Sequence, residues 1–76
     1  MNRLQKQALI RYAYDHRNMY RFTDEEWVDL LNCYANHTDV KQCARRMRMR
    51  PLDASILYCQ MSQAVTEYAI AAMRAK

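Results

Sequence analysis

Residues 22–31, Phe-Thr-Asp-Glu-Glu-Trp-Val-Asp-Leu-Leu, decide the fold class because they encode both the start of a helix and its buried face. Thr23 and Glu26 have the spacing of a capping box, in which each side chain accepts a hydrogen bond from the other residue's backbone N–H. Phe22 and Trp27 stand on either side of this cap, at the positions of a hydrophobic staple. The stretch therefore predicts a helix that begins after Thr23. Its expected buried stripe is Trp27, Leu30, Leu31 and Tyr34.

Three further helices are predicted around this one, which we expect to end near residues 36–37. Apolar residues at three- and four-residue spacing indicate a first helix over about residues 3–16. A cap at Thr38 and Asp39 begins a short third helix that runs to about Met47. Pro51 suits the first turn of a long fourth helix that spans about residues 52–73. The residues expected on its inward side are Leu52, Ile56, Leu57, Met61, Ala64, Val65, Tyr68 and Ala72.

The composition favours one compact all-α domain over residues 1–76. The chain contains no glycine, and tight β-hairpins depend on glycine for positive φ angles. Half of the residues are apolar, which is enough for a packed core and too many for a disordered segment. We therefore expect a four-helix domain whose third and fourth helices form a helix-turn-helix-like pair, with a long helix at the C-terminus.

The cysteine count and the hydropathy pattern bear on the cellular compartment. The three cysteines are an odd number, and the apolar run near the N-terminus, residues 8–10, is too short for a secretory signal. No stretch approaches the roughly 18 uncharged residues of a membrane span. We expect a cytoplasmic protein with reduced thiols and no membrane partner.

Charged residues occur in blocks rather than alternating along the chain. Residues 22–40 hold five acids and no Lys or Arg, whereas residues 41–50 hold five bases and no acid. Helix dipoles favour acids at helix starts and bases at helix ends, but they do not call for four arginines within residues 45–50. Arginine binds phosphate oxygens bidentately. This basic run therefore predicts contact with nucleic acid or, as an alternative, with an acidic protein surface.

Ala44 supplies a small residue inside the predicted third helix, where a following helix can cross closely. The apolar residues at the offsets that would lock the third and fourth helices together are Cys43, Met47, Met49, Ala54 and Leu57. In these features residues 39–58 resemble the helix-turn-helix of small phage- and plasmid-type regulators. The turn position that is commonly glycine is Arg48, so it must adopt a strained conformation or the turn must differ.

The resemblance implies a DNA-binding regulator that docks its fourth helix in the major groove, usually as a dimer. The recognition face that the resemblance implies includes Pro51, Leu52 and Ile56 beside Arg50 and Ser55, and the first three cannot form hydrogen bonds to base edges. We therefore expect the arginines mostly to hold phosphates. The expected nucleic-acid-binding residues are Lys41, Arg45, Arg46, Arg48, Arg50 and Ser55.

The fourth helix is apolar on more than one side, which favours burial on more than one side. We expect a homodimer, and the residues expected at the dimer or partner interface are Ile56, Tyr58, Met61, Tyr68, Ile70 and Met73. The same apolar surplus supports an alternative function, a phage-type protein-interaction module that acts as an inhibitor or antirepressor by blocking a host or phage protein.

Catalytic and metal sites are the remaining alternatives, and neither is favoured. Cys33 and His37 are four residues apart, and with Cys43 and Cys59 they make a Cys3His zinc site conceivable. Core packing is the better interpretation of the cysteines because free cysteine is among the most buried residue types. Without glycine the chain cannot form the usual phosphate-cradling loop. We expect neither an enzyme nor a cofactor, and the sequence leaves zinc binding open.

Overall fold

The structure, a computed structural model, describes residues 3–75. Four helices follow one another along the chain: α1 (Arg3–His16), α2 (Asp24–Ala35), α3 (Val40–Met47) and α4 (Pro51–Arg74). No strand occurs within the described residues. The predicted all-α fold with four helices is confirmed, and each helix lies where the sequence predicts it.

The long helix α4 is the element on which α1 and α3 both pack. Its 24 residues correspond to about 36 Å, close to the 41 Å length of the molecule. Two hydrogen bonds fix the direction of α1, since Tyr68 donates to Gln7 and Tyr12 donates to Gln60. α1 therefore runs antiparallel to α4 along its C-terminal half. No helix within residues 3–75 is long and apolar enough to span a membrane.

The capping box and the hydrophobic staple predicted for α2 are both present. The Thr23 backbone N–H donates to Glu26 Oε1 over 3.0 Å, and the Glu26 N–H donates to Thr23 Oγ1 over 3.2 Å. The Phe22 and Trp27 rings meet edge to face with centroids 5.1 Å apart. α3 is capped by Asp39 rather than by Thr38, because the Asp39 carboxylate accepts from the Lys41 N–H.

The core forms where the inward faces of all four helices meet. Leu9 and Tyr12 come from α1, and Trp27 and Leu30 come from α2. The buried residues that α3 and α4 contribute are Cys43, Ala44, Met47, Ala54, Leu57 and Met61. Burial raises the pKa of the Tyr12 hydroxyl to about 12, with a smaller contribution from Tyr20. The hydroxyl donates to Gln60, so this buried group is hydrogen-bonded.

Two residues expected on the inward side of α4 are instead exposed. Leu52 is 67% exposed and Ile56 is 46% exposed. α4 buries Ala54, Leu57 and Met61, which follow the three- and four-residue spacing of one helical face. At about 100° per residue, Leu52 and Ile56 lie on nearly the opposite side of the cylinder from Ala54. The sequence-based assignment of these two residues to the core is therefore wrong.

Two of the connections end their helices with a non-glycine residue at positive φ. Arg48 has φ 56° and ψ 44°, and its N–H donates to the Arg45 carbonyl while the Met49 N–H donates to the Ala44 carbonyl. This is a Schellman motif, which normally places glycine at the left-handed position. His37, with φ 58°, ends α2 in the same way. Arg48 therefore adopts the strained conformation that the absence of glycine requires.

Substitution of Leu30, whose side chain is completely buried, tests the core. We expect Leu30→Ala to lower the free energy of unfolding by about 3 kcal/mol, because it removes buried methyl groups and leaves a cavity. Val28 lies on the same helix but is 55% exposed, so Val28→Ala should change stability by less than about 0.5 kcal/mol. Urea denaturation of both variants measures the difference, and equal losses would contradict this core.

Substitution of Arg48 tests the left-handed turn. We expect Arg48→Gly to raise the free energy of unfolding by about 0.5–1 kcal/mol. Glycine removes the steric cost of the left-handed conformation, about 1–2 kcal/mol, but it also loses more backbone entropy on folding, which offsets part of that gain. Arg45→Gly is the matched control within α3, where glycine should instead cost about 1 kcal/mol. Thermal denaturation compares the two, and destabilisation by both would contradict the positive φ angle at Arg48.

Candidate nucleic-acid interface

The basic residues of α3 lie on two sides of the helix, an outer face and a flank. Cys43, Ala44 and Met47 are buried against the rest of the molecule. Lys41 and Arg45 are exposed and, being four residues apart, share one side of the helix. Arg48, also exposed, follows at the C-terminal end of the same helix. We refer to these three exposed residues, Lys41, Arg45 and Arg48, as the α3 basic face.

Two other arginines from the predicted set are paired with carboxylates. Arg46 Nη2 lies 3.8 Å from Asp29 Oδ1 of α2, so this ion pair joins α2 to α3. Arg50 donates from Nε to Asp53 over 3.1 Å within the first turn of α4. Both pairs are exposed to solvent, and each therefore contributes about 0–1 kcal/mol. Their charges are nonetheless partly neutralised within the protein.

The α3 basic face has no such partner. Within residues 3–75, no carboxylate lies within ion-pair distance of Lys41, Arg45 or Arg48. Asp39 is directed to the backbone of α3 and accepts from the Lys41 N–H rather than from its ammonium group. The three cationic groups are therefore free to bind an anionic ligand at the surface.

The outer side of α4 near its start offers little that could read bases. Leu52, Ile56 and Cys59 are exposed there, and successive members are four and three residues apart, about one helical turn. Ser55 is half-buried on the flank. Leucine and isoleucine have no hydrogen-bonding groups for base edges. The structure thus places an apolar surface where a recognition helix would present polar side chains.

The residues predicted for a dimer or partner interface fall into different environments. Met61 is fully buried in the core, so it packs within the protomer and not on a partner. Tyr58 is half-buried, donates to the Thr38 carbonyl over 2.8 Å and meets Tyr34 edge to face. Tyr68 is bonded to Gln7. The exposed members are Ile56, Ile70 and Met73.

The three cysteines are not equivalent. Cys33 and Cys43 are buried, and Cys59 is exposed on α4. Core packing is thus wrong for Cys59, because position 59 faces away from the side of α4 that Ala54 and Met61 bury. Burial raises the pKa of the Cys43 thiol, and its contact with the Tyr58 hydroxyl opposes that shift. Burial likewise raises the pKa of Tyr58, with a further contribution from Cys43.

The residues considered for zinc do not form a cluster. His37 is exposed beyond the end of α2, at the left-handed residue of its turn, while Cys33 is buried. In the described part of the chain, no three His, Cys, Asp or Glu side chains are grouped to hold a metal ion. His16 lies at the end of α1, where Nδ1 is 2.9 Å from the Tyr12 carbonyl oxygen.

Sequence reasoning did not identify the acids that pair with the arginines. The pair of Arg50 with Asp53 has the three-residue spacing that helical neighbours use, so its signal was present in the sequence. The pair of Arg46 with Asp29 joins two helices. The sequence alone does not predict this pair, because it depends on how α2 and α3 pack. Both pairs matter because they leave the α3 basic face as the uncompensated part of the basic run.

The chain matches no protein-family model, no curated protein and no solved structure.

Thiol alkylation tests the environments of the three cysteines. We expect iodoacetamide at neutral pH to modify Cys59 alone in the folded protein, because alkylation requires an accessible thiolate and burial raises the pKa of Cys43. All three should react in urea. Mass spectrometry of tryptic peptides counts the modified thiols, and rapid modification of Cys33 or Cys43 under native conditions would contradict their burial.

Proposed function

We propose that this protein is a small DNA-binding regulator that contacts backbone phosphates of duplex DNA through the α3 basic face. The observation that carries the proposal is the exposure of Lys41, Arg45 and Arg48 without a neutralising carboxylate in residues 3–75. The regulatory role comes from the resemblance of residues 39–58 to helix-turn-helix regulators. The exposed position of the α3 basic face supports contact with phosphates.

The arrangement of α3 and α4 supports phosphate contact. In helix-turn-helix proteins the first helix of the motif crosses the DNA backbone, while the second enters the major groove. In the proposed motif α3 is the first helix, and the α3 basic face supplies charge for this contact. The two helices are joined by the three residues between Met47 and Pro51, so Arg48, at the end of the α3 basic face, lies three residues before the start of α4.

We expect a weak sequence preference because of the exposed residues at the start of α4, the second helix of the proposed motif. Phosphate contacts fix the orientation of a protein on the duplex but carry no direct sequence information. The exposed residues at the start of α4 are Leu52 and Ile56, which leave base edges without hydrogen-bonding partners. We therefore propose affinity that depends strongly on salt and only weakly on sequence.

Removal of the α3 basic face tests the proposal. We expect Lys41→Gln/Arg45→Gln/Arg48→Asn to weaken binding to a short mixed-sequence duplex by about tenfold or more at low salt, because fewer phosphate contacts release fewer counterions. The slope of log K against log salt should fall by about two to three. Asn is chosen at position 48 because it tolerates the left-handed conformation. Fluorescence anisotropy of labelled DNA measures both quantities.

The matched control removes the same number of charges from the opposite end of the molecule. Arg3, Lys6 and Arg74 are exposed, and the antiparallel packing of α1 on α4 places them far from α3. Arg3→Gln/Lys6→Gln/Arg74→Gln should largely retain the salt slope. Native protein without salt-sensitive DNA binding at low ionic strength would refute the proposal, as would equal losses in both triple variants.

A further inference from the structure

Helices α1 and α2 together present a continuous apolar surface. Two adjacent grooves, of about 200 Å³ and 300 Å³, lie between the two helices, and neither is lined by any described residue of α3 or α4. The grooves share Ile10, Val28 and Leu31, so they are parts of one surface. Ile10 is 54% exposed and Val28 is 55% exposed, whereas Leu31 is half-buried. We call the surface formed by the lining residues of both grooves the α1–α2 face, and these three residues are its centre.

The α1–α2 face is a second packing stripe on helices that already bury a first one. On α1 its residues include positions 6, 10, 13 and 17, and on α2 they include positions 24, 28 and 31. This alternation of four- and three-residue steps is the spacing through which helices pack in coiled coils and four-helix bundles. The residues that the two helices bury in the core are different ones, Ala8, Leu9 and Tyr12 on α1 and Trp27, Leu30 and Cys33 on α2. Helices that are apolar on a second side favour burial on that side also.

Charged residues line the two ends of the α1–α2 face. Because α1 and α2 run antiparallel, Arg17 and Asp24 line one end of the face, and Lys6 and Asn32 line the other. All four residues are exposed. Within residues 3–75, no ion pair involves Lys6, Arg17 or Asp24. The Arg17 guanidinium lies over the Tyr14 ring, 4.6 Å from its centroid, and stacking of this kind leaves the N–H groups at the guanidinium edge free to donate.

The charge pattern makes the α1–α2 face complementary to a second copy of itself. A two-fold axis in the plane of the contact runs either across the helices or along them. An axis across the helices packs α1 on α1 and brings Lys6 opposite Arg17 of the partner subunit, so like charges meet. An axis along the helices packs α1 on the partner's α2 and brings Arg17 opposite Asp24 of the partner subunit. Like charges oppose association and opposite charges favour it, so the pattern selects the axis along the helices.

We propose that the α1–α2 face binds the same face of a second copy of this chain, about a two-fold axis parallel to α1 and α2. This axis keeps each residue at its own level along the helices, so Ile10 packs against Val28 and Leu31 of the partner subunit. Arg17 of each copy donates to Asp24 of the partner subunit in two equivalent charge-assisted contacts. Each of the four helices is then antiparallel to both of its neighbours, as in an up-down-up-down four-helix bundle.

This surface is separate from the one proposed for DNA. No residue of the α3 basic face lines the α1–α2 face, so the association does not depend on the proposed DNA binding. It also differs from the dimer interface that the sequence predicts on α4, since no residue of α4 lines either groove. The two interfaces can therefore be told apart by substitutions on different helices.

Sedimentation equilibrium of the full chain over micromolar to millimolar concentrations tests the association. We expect the wild-type protein to approach twice the 9.2 kDa mass of the chain. Ile10→Gln/Val28→Gln should raise the Kd of the dimer by about tenfold or more, since loss of central apolar contacts typically costs that much. Leu52→Gln/Ile56→Gln is the matched control, because these two residues are 67% and 46% exposed on α4 and lie outside the α1–α2 face. The control should leave the Kd unchanged.

Exchange of the two charges tests the direction of the axis. Arg17→Glu and Asp24→Arg should each dimerise about tenfold more weakly than the wild type, because each variant brings two pairs of like charges together in its own dimer. An equimolar mixture of the two variants should recover the wild-type affinity, since the mixed dimer has opposite charges at both contacts. With the axis across the helices, Arg17→Glu would instead strengthen the dimer, because position 17 would face Lys6 of the partner subunit.

Dimerisation makes stability depend on protein concentration. The small loss of stability expected for Val28→Ala therefore applies to the monomer, below the Kd, and should grow above it. The proposal would be overturned by a mass of 9.2 kDa at every concentration or by equal weakening in Leu52→Gln/Ile56→Gln. It would also be overturned by failure of the mixed variants to recover affinity or by stronger association of Arg17→Glu.

Discussion

Burial of one face of α4 is the interaction on which the rest of the structure depends. Ala54, Leu57 and Met61 are almost completely inaccessible, and they receive the apolar faces of the other helices. A chain of this length has few residues with which to build a core. A single long helix against which both α1 and α3 pack lets the same few apolar residues contact several elements. Loss of this face would separate the helices from one another.

Hydrogen bonds from tyrosines add direction to this apolar packing. Tyr12 and Tyr20 both donate to Gln60, and Tyr58 donates to the Thr38 carbonyl. Apolar contacts are not directional, whereas these bonds fix which turn of α4 faces each neighbouring element. The raised pKa of Tyr12 means that the folded state holds its proton more tightly than the unfolded chain. Its contribution to stability is therefore complete below pH 10 and declines as the pH rises towards 12.

The sequence predicted local features well because neighbouring residues encode them. Thr23 and Glu26 complete their capping box within one helical turn, so no tertiary information was needed. Leu52 and Ile56 were misplaced because α4 carries apolar residues around most of its circumference, and periodicity alone does not say which side meets α3. The pair of Arg46 with Asp29 depends on how two helices dock. The basic run over residues 41–50 was therefore identified from the sequence, but the three of its members that have no carboxylate partner, Lys41, Arg45 and Arg48, were not.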